Sequence, residues 1–328
     1  MRTMRAAIYE RCGAAHDVLR VREIERPEPG PNEVRVRLRV SGVNPTDWKS
    51  RRGATGRAPD GFQIPNQDGT GEIDAVGAGV DTRRVGERVW VWFAAANGRR
   101  WGTAAQWTVV PARQAVTLPT DVGFDLGASL GVPAMTAHRC LFADGPLDGA
   151  TVLVAGGAGA VGHDAIELAK WAGATTVVTT VSGPEKAALA YAAGADAVVN
   201  YHDADAVDQV RRVVARVDRV IEVALGANLA LDLAVSGPQT VISTYANEPT
   251  DPVLPVRAAM IANVTLRFVL LYGVPPAALD AAATEVTAAV AAGALTLLPL
   301  HRFSLDDIAA AHDAVEGGAV GKVLVDLP

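Results

Sequence analysis

The run Thr151–Ala155 (TVLVA), followed at once by Gly156-Gly157-Ala158-Gly159-Ala160-Val161-Gly162, constrains this chain more than any other stretch. A continuous apolar run without alternation suits a strand covered on both faces, as a parallel sheet demands. Beyond the glycines, Val161, Ala165, Leu168, Ala169 and Ala172 share one side, and Asp164, Glu167 and Lys170 share the other. That is helical periodicity and predicts an amphipathic helix over Val161–Ala172. A buried strand turning through glycines into a helix is the context that gives Gly157-x-Gly159-x-x-Gly162 its meaning. The same stretch also reads Gly156-x-x-Gly159-x-x-Gly162. Lacking Cβ atoms, such a turn can bend sharply and let a pyrophosphate approach the backbone. The helix N-terminus then offers it free N–H groups and partial positive charge. The spacing predicts a dinucleotide cradle built from Gly156, Gly159, Ala160, Val161 and Gly162, with Gly162 allowing the helix to pack close to the sheet.

The alternation continues downstream. Strands are expected at Thr175–Val181, Ala197–Asn200, Arg219–Val223 and Thr240–Thr244, separated by helices at Glu185–Ala193, Ala206–Val214 and Leu229–Ser236. Repeated strand–helix units imply a doubly wound parallel α/β sheet. Val264–Tyr272 (VTLRFVLLY) reads as a last strand at the sheet edge. The chain ends in helices at Pro276–Ala292 and Leu305–Glu316 and a strand at Lys322–Asp326.

The first hundred residues follow a different rule. Glu33–Val40 (EVRVRLRV) puts Val34, Val36, Leu38 and Val40 on one face and Arg35, Arg37 and Arg39 on the other, the period-2 signature of a half-buried strand. Gly69–Val76 and Gly86–Phe93 repeat the theme between glycine turns. Short strands with turns at close spacing suggest a β-rich barrel or sandwich. Asp125–Leu141 reads as a helix with a break or kink at Pro133. The expected domains are 1–122 with 274–328, β-rich, and 123–273, dinucleotide-binding; a chain of 328 residues suits two domains.

Composition narrows the function. Thirty Lys and Arg against thirty-six Asp and Glu leave a net charge of -6, which argues against nucleic acid as a partner. No apolar run approaches the ~20 residues that span a bilayer. Cys12 and Cys140 are the only cysteines, too few for a disulfide framework or a four-thiolate zinc site. The start, MRTMRAAIYE, has no apolar core or cleavage site of a secretory signal, so the expected location is cytoplasmic.

The second strand of the dinucleotide sheet distinguishes between nicotinamide cofactors. An acidic residue at its end would hold the ribose hydroxyls of NAD. Here Thr175–Val181 runs into Ser182-Gly183-Pro184-Glu185-Lys186. Ser182 can donate to a 2′-phosphate, Lys186 can supply charge one turn into the next helix, and Tyr201 follows the third strand. Glu185 must face solvent. The expected cofactor is NADPH.

A β-rich module, a dinucleotide domain and a returning chain resemble the medium-chain dehydrogenase/reductase superfamily over nearly the whole length. The resemblance implies a GroES-like catalytic domain beside a Rossmann-type domain. Zinc-bearing members carry a Cys and a Gly-His-Glu segment for the catalytic metal. Here Ser41-Gly42-Val43-Asn44-Pro45-Thr46-Asp47 has Asn44 in the cysteine's place, and Asn66-Gln67-Asp68-Gly69 has Gln67 in the histidine's. Amides are poor zinc ligands beside thiolate and imidazole. The segment Trp92–Trp107 is short and cysteine-free, and the six histidines lack ligand spacing. No metal is expected.

These departures, with Leu130-Gly131-Val132-Pro133-Ala134-Met135-Thr136-Ala137 and Gly321-Lys322-Val323-Leu324-Val325, resemble the zinc-independent quinone oxidoreductases, the zeta-crystallin-like branch. That resemblance implies NADPH-dependent reduction of a quinone or an α,β-unsaturated carbonyl, often by a homodimer, which we expect to join through the edge strand near 264–272. Many of its quinone reductases carry Tyr where Lys49 stands; Trp48-Lys49 is more like the enone reductases. Asn44 and Lys49 are the expected catalytic residues. Thr136 and Lys322 are expected to contact the cofactor, on the resemblance alone. An enoyl reductase of a biosynthetic pathway, or a dinucleotide-binding protein with a structural or sensing role, are the alternatives.

Overall fold

The structure, a computed structural model, describes residues 2–54, 56, 58–248 and 250–328. In chain order the strands are β1 (Thr3–Ile8), β2 (Arg20–Glu25), β3 (Glu33–Val43), β4 (Asp68–Val76), β5 (Arg88–Val91), β6 (Trp107–Pro111), β7 (Ala115–Thr117), β8 (Thr151–Ala155), β9 (Thr176–Val181), β10 (Ala197–Asn200), β11 (Val217–Glu222), β12 (Ser236–Thr244), β13 (Thr265–Phe268), β14 (Leu300–Ser304) and β15 (Lys322–Asp326). The helices are α1 (Ala15–Val18), α2 (Pro45–Arg52), α3 (Phe124–Phe142), α4 (Ala160–Trp171), α5 (Pro184–Ala192), α6 (Ala206–Val213), α7 (Leu225–Val235), α8 (Val256–Ala262), α9 (Pro276–Ala291) and α10 (Ile308–Glu316).

The chain packs into two compact units, Met1–Val132 with Pro299–Pro328, and Pro133–Leu298. The expected boundaries put residues 123–132 and 274–298 on the opposite sides. Side chains explain the placement of the second stretch. On α9, Leu279, Ala282, Ala283, Val286, Ala289 and Val290 are buried. Glu285 meets His138 of α3 at 2.8 Å, and the Thr296 N–H donates to Glu167 of α4 at 2.9 Å.

The second unit holds a six-stranded sheet in the order β10-β9-β8-β11-β12-β13, parallel throughout. The chain enters at β8, winds outward through β9 and β10, then returns to β11 on the other side. Strand order therefore reverses between β8 and β11, and in such sheets the crevice at the carboxyl ends of those strands receives the ligand. Leu153, Val178, Val199, Val220 and Ile242 form the buried centre, each side chain contributing about 1.5–3 kcal/mol.

Val264–Tyr272 is not one strand. β13 stops at Phe268 because its partner stops: Phe268 pairs with Thr244, the last residue of β12, and the Val269 N–H donates to the Thr244 carbonyl at 2.8 Å. The chain then forms a short 3-10 turn at Leu271–Gly273. Phe268 and Leu270 are left 74% and 70% exposed.

In the first unit the eleven-residue β3 is the spine, pairing with β4, β6 and β15. Val34, Val36 and Leu38 enter the core as their alternation predicts. On the arginine face Arg37 is exposed and Arg39 half-buried, and Arg35 alone departs from the expectation. Arg35 is buried, its Nε donating to Asp74 at 2.8 Å and Nη1 meeting Glu28 at 2.6 Å, so the pair replaces solvent.

Candidate cofactor and catalytic residues

In the second unit, β8 ends at Ala155 and α4 begins at Ala160 with Gly159 as its N-cap. Gly156 sits at φ +73, a conformation glycine reaches at little cost. A Cβ on Gly162 would run into the Gly156 backbone, so this glycine packs the helix onto its own entry loop. Gly159 is different: a Cβ there would stand 3.4 Å from the Gly156 carbonyl, an ordinary contact. The fold has room for a Cβ at that point, and the absence of one leaves the loop open to a ligand. The first helical hydrogen bond runs from the His163 N–H to the Gly159 carbonyl at 2.8 Å. The N–H groups of Ala160, Val161 and Gly162 precede it and have no carbonyl one turn back. Three donors, a helix dipole and an open glycine fit a pyrophosphate.

Ser182 follows β9 directly, and the Lys186 ammonium donates to its hydroxyl at 2.9 Å. The Tyr201 N–H donates to the Val181 carbonyl at 3.1 Å, which fixes Tyr201 beside the same strand end. Its ring is 42% exposed and lies 4.4 Å from the ring of His202. Glu185 is exposed, so it does not turn inward. Ser182, Lys186 and Tyr201 thus gather at the carboxyl ends of β9 and β10. Thr136 is buried within α3. His163 is a brace: its Nε2 lies 3.3 Å from Glu167 and 3.2 Å from the Thr296 hydroxyl. Burial opposes its charge, but Glu167, with Asp164 and Thr296, outweighs burial and raises its pKa.

The first unit contains a second cluster, almost wholly shielded from water. Asn44 caps α2, and its backbone N–H donates to Asp47 at 2.7 Å. The Asn44 side-chain Nδ2 donates to Asp68 Oδ2 at 2.6 Å, and its Oδ1 accepts from the Lys322 Nζ at 2.7 Å. The Val132 N–H also donates to Asp68 Oδ2, at 2.8 Å. Asn44, Asp47, Asp68 and Lys322 are each at most 5% exposed. Burial pushes Asp68 up to about 6, against the pull of Lys322, the Val132 N–H and Asn44. Burial, reinforced by the charge of Asp68, raises Asp47 well above the usual carboxylate range. Lys322 reaches Asn44, a contact between the two ends of the chain that no local pattern announces. Lys49 lies in the middle of α2, half-buried, with its ammonium 5.8 Å from the centre of the Trp48 ring.

Two acidic residues of this cluster received no role from sequence. Asp47 and Asp68 sit in the very segments that carry Asn44 and Gln67, and that adjacency was the available signal. A further pair had no signal. Glu222 ends β11, and its Oε1 accepts from the Ala224 N–H and from the Asn228 amide, the latter at 3.0 Å. It lies against Asp232 of α7; burial and the neighbouring carboxyl raise Asp232 to about 9.

Comparison with known proteins agrees with this layout. Residues 30–120 match the alcohol dehydrogenase GroES-like domain, and residues 160–288 match the zinc-binding dehydrogenase family. The quinone oxidoreductase of Lama guanicoe is 28% identical over 99% of this chain and 98% of its own length. The human synaptic vesicle membrane protein VAT-1 homolog is 33% identical over 71% of this chain, which spans 59% of that protein's length. Among solved structures, a mycobacterial quinone oxidoreductase superposes with a TM-score of 0.85 at 30% identity, covering 99% of this chain and 100% of its own. A mycobacterial protein complexed with NADPH gives 0.84 at 29% identity, covering 99% and 100%.

Zinc does not fit the residues present here. The segments that would ligate it offer the amides Asn44 and Gln67. The oxygen of Asn44 already accepts from an ammonium, and that of Gln67 accepts from the Ala95 N–H at 3.2 Å. A dication placed there would meet the Lys322 charge at close range. Among the described residues, no three His, Cys, Asp or Glu side chains are grouped to hold a metal ion. A dinucleotide cradle on a parallel sheet, a largely antiparallel GroES-like unit, and full-length likeness at 30% identity to a solved quinone oxidoreductase together place the chain: it belongs to the medium-chain dehydrogenase/reductase superfamily, in the quinone oxidoreductase branch.

Proposed function

We propose that this chain is an NADPH-dependent, zinc-independent reductase acting on a quinone or an α,β-unsaturated carbonyl. One observation carries the acceptor class: Lys322 donates to Asn44 at 2.7 Å where a metal-ligating side chain would otherwise sit. With an ammonium in that place, no Lewis acid polarises the acceptor, so the acceptor must be electrophilic by itself. Quinones and enones meet that condition; plain ketones do not.

When bound here, NADPH would supply hydride to the electron-poor carbon or quinone, with the balancing proton taken from water. The protein's contribution is binding and charge. The N–H groups of Ala160, Val161 and Gly162 hold the pyrophosphate. Ser182 donates to the 2′-phosphate, Lys186 neutralises it, and Tyr201 flanks the adenine end. Lys49 donates to the acceptor oxygen and stabilises the negative charge that develops there. Asn44 orients the reacting end through its second amide hydrogen, the one not given to Asp68. Thr136, buried in α3, takes no part in this reading. The relatives and the NADPH-complexed structure support the cofactor; acceptor names among the relatives support the substrate class.

We also propose a homodimer joined at β13. That strand forms an open sheet edge, and Met260, Ile261, Phe268 and Leu270 nearby are each 70% or more exposed. An apolar edge of this kind favours pairing with a second copy. Among the described residues, no helix is long and apolar enough to cross a membrane.

The test is NADPH consumption at 340 nm with 1,4-benzoquinone, methyl vinyl ketone and acetone as acceptors. Turnover with either of the first two and none with acetone is expected. Turnover with acetone alone would overturn the acceptor class.

A further inference from the structure

We propose that Asp68 is a positioning residue: together with Lys322 it locks the Asn44 side chain in one orientation and supplies the counter-charge that keeps the buried ammonium in place. This rests on the proposed function for the value of an oriented Asn44, but the lock itself stands on geometry.

An asparagine amide has two ends of similar shape and opposite hydrogen-bonding sense. Lys322 can only donate, and ionised Asp68 can only accept. The oxygen must therefore face Lys322 and the nitrogen Asp68, as found at 2.7 and 2.6 Å. Either partner alone would set a preference; both together leave one arrangement. The carboxylate is fixed in turn. Its Oδ2 accepts from the Val132 N–H at the 2.8 Å already given, and a Cβ on Gly131 would run into its Oδ1. Among the described residues, no donor reaches that Oδ1. Asp68 thus directs its bonding through one oxygen, to the amide and to the helix backbone.

The charges balance in the same set. Lys322 and Asp68 carry opposite charges, and burial and the charge of Asp68 raise the pKa of Asp47, the second carboxyl that feels Lys322. Neutralising Asp68 leaves the fold a second carboxyl able to ionise beside Lys322, so Asp68→Asn is expected to fold.

The experiment compares the wild type, Asp68→Asn, Lys322→Met and the double variant. Readouts are NADPH affinity by fluorescence titration, kcat and KM for 1,4-benzoquinone, and the Asn44 side-chain NH2 signals by NMR. Each single variant should keep NADPH affinity within about twofold while kcat falls about tenfold, the scale on which loss of an orienting partner acts. The double variant should fall no further than the worse single, because both act on one amide. The Asn44 signals should shift and exchange faster in every variant. Multiplying losses, or a loss of stability with kcat unchanged, would overturn the lock. Weakened NADPH binding in Lys322→Met would return that lysine to the cofactor and also overturn it. If the wild type turns over neither quinone nor enone, the proposed reaction fails, and the lock is judged on the Asn44 signals alone: unchanged signals sink it.

Discussion

The two polar centres of this protein are built in opposite ways. The cradle at the start of α4 uses backbone: three N–H groups and glycines from seven consecutive residues. The cluster around Asn44 uses side chains drawn from β4, the start of α2 and β15, with a backbone donor from α3. A backbone site tolerates change in most side chains but not the arrival of one where a ligand must come close. A side-chain site loses its arrangement when a partner is removed, because at 5% exposure or less water cannot take the lost partner's place. The first kind is suited to holding a common cofactor, the second to fixing the orientation of one group.

The sharpest way to break this contrast is Gly159→Val. Because a Cβ at 159 makes only an ordinary contact within the protein, the variant should fold with a near-native unfolding midpoint. NADPH affinity should nonetheless drop about 100-fold or more, roughly 2.7 kcal/mol. Equal losses of stability and binding would show that the glycine serves the fold.

Lys186→Ala sharpens the side-chain part of cofactor recognition. Its ammonium is half-buried and pairs with Ser182. NADPH should bind about tenfold more weakly, as expected for a lost charge-assisted contact, and NADH hardly less well. Parallel titrations of both cofactors decide it.

Asp232 tests what burial does to a carboxyl pair outside the Asn44 cluster. Its folded pKa is raised to about 9, so the folded chain keeps a proton that the unfolded chain releases near pH 4. The associated stability is complete below pH 4 and declines as pH rises toward 9, by up to about 1.4 kcal/mol per unit. Urea midpoints should therefore fall between pH 6 and 8, and Asp232→Asn should flatten that slope.

Lys49→Ala carries the smallest expected effect. Turnover with 1,4-benzoquinone should fall several-fold while NADPH affinity holds, since one half-buried donor to the acceptor is removed. Unchanged kcat would remove Lys49 from the proposed chemistry.

The same contrast explains what could be read from sequence. The parallel sheet was legible because TVLVA, the glycine spacing and the helix period lie side by side, and local pattern sets local structure. Ser182 and Lys186 were legible as neighbours in one turn. The Asn44 cluster was only half legible: Asn44 and Lys322 stood out, but their contact joins residues 278 positions apart. Nothing local links Lys322 to Asn44, so that contact could not be read. Val264–Tyr272 misled for a related reason. Its composition suits a strand throughout, but its length is set by where β12 ends. Glu222 and Asp232 were invisible because helix α7 folds one back onto the other.

The account stands on a dinucleotide seated at the mouth of α4 with its 2′-phosphate on Ser182 and Lys186. Titration calorimetry of the purified chain tests this directly. We expect one NADPH bound per chain and NADH at least about tenfold weaker. No heat with either nucleotide, or equal affinity for both, would contradict it.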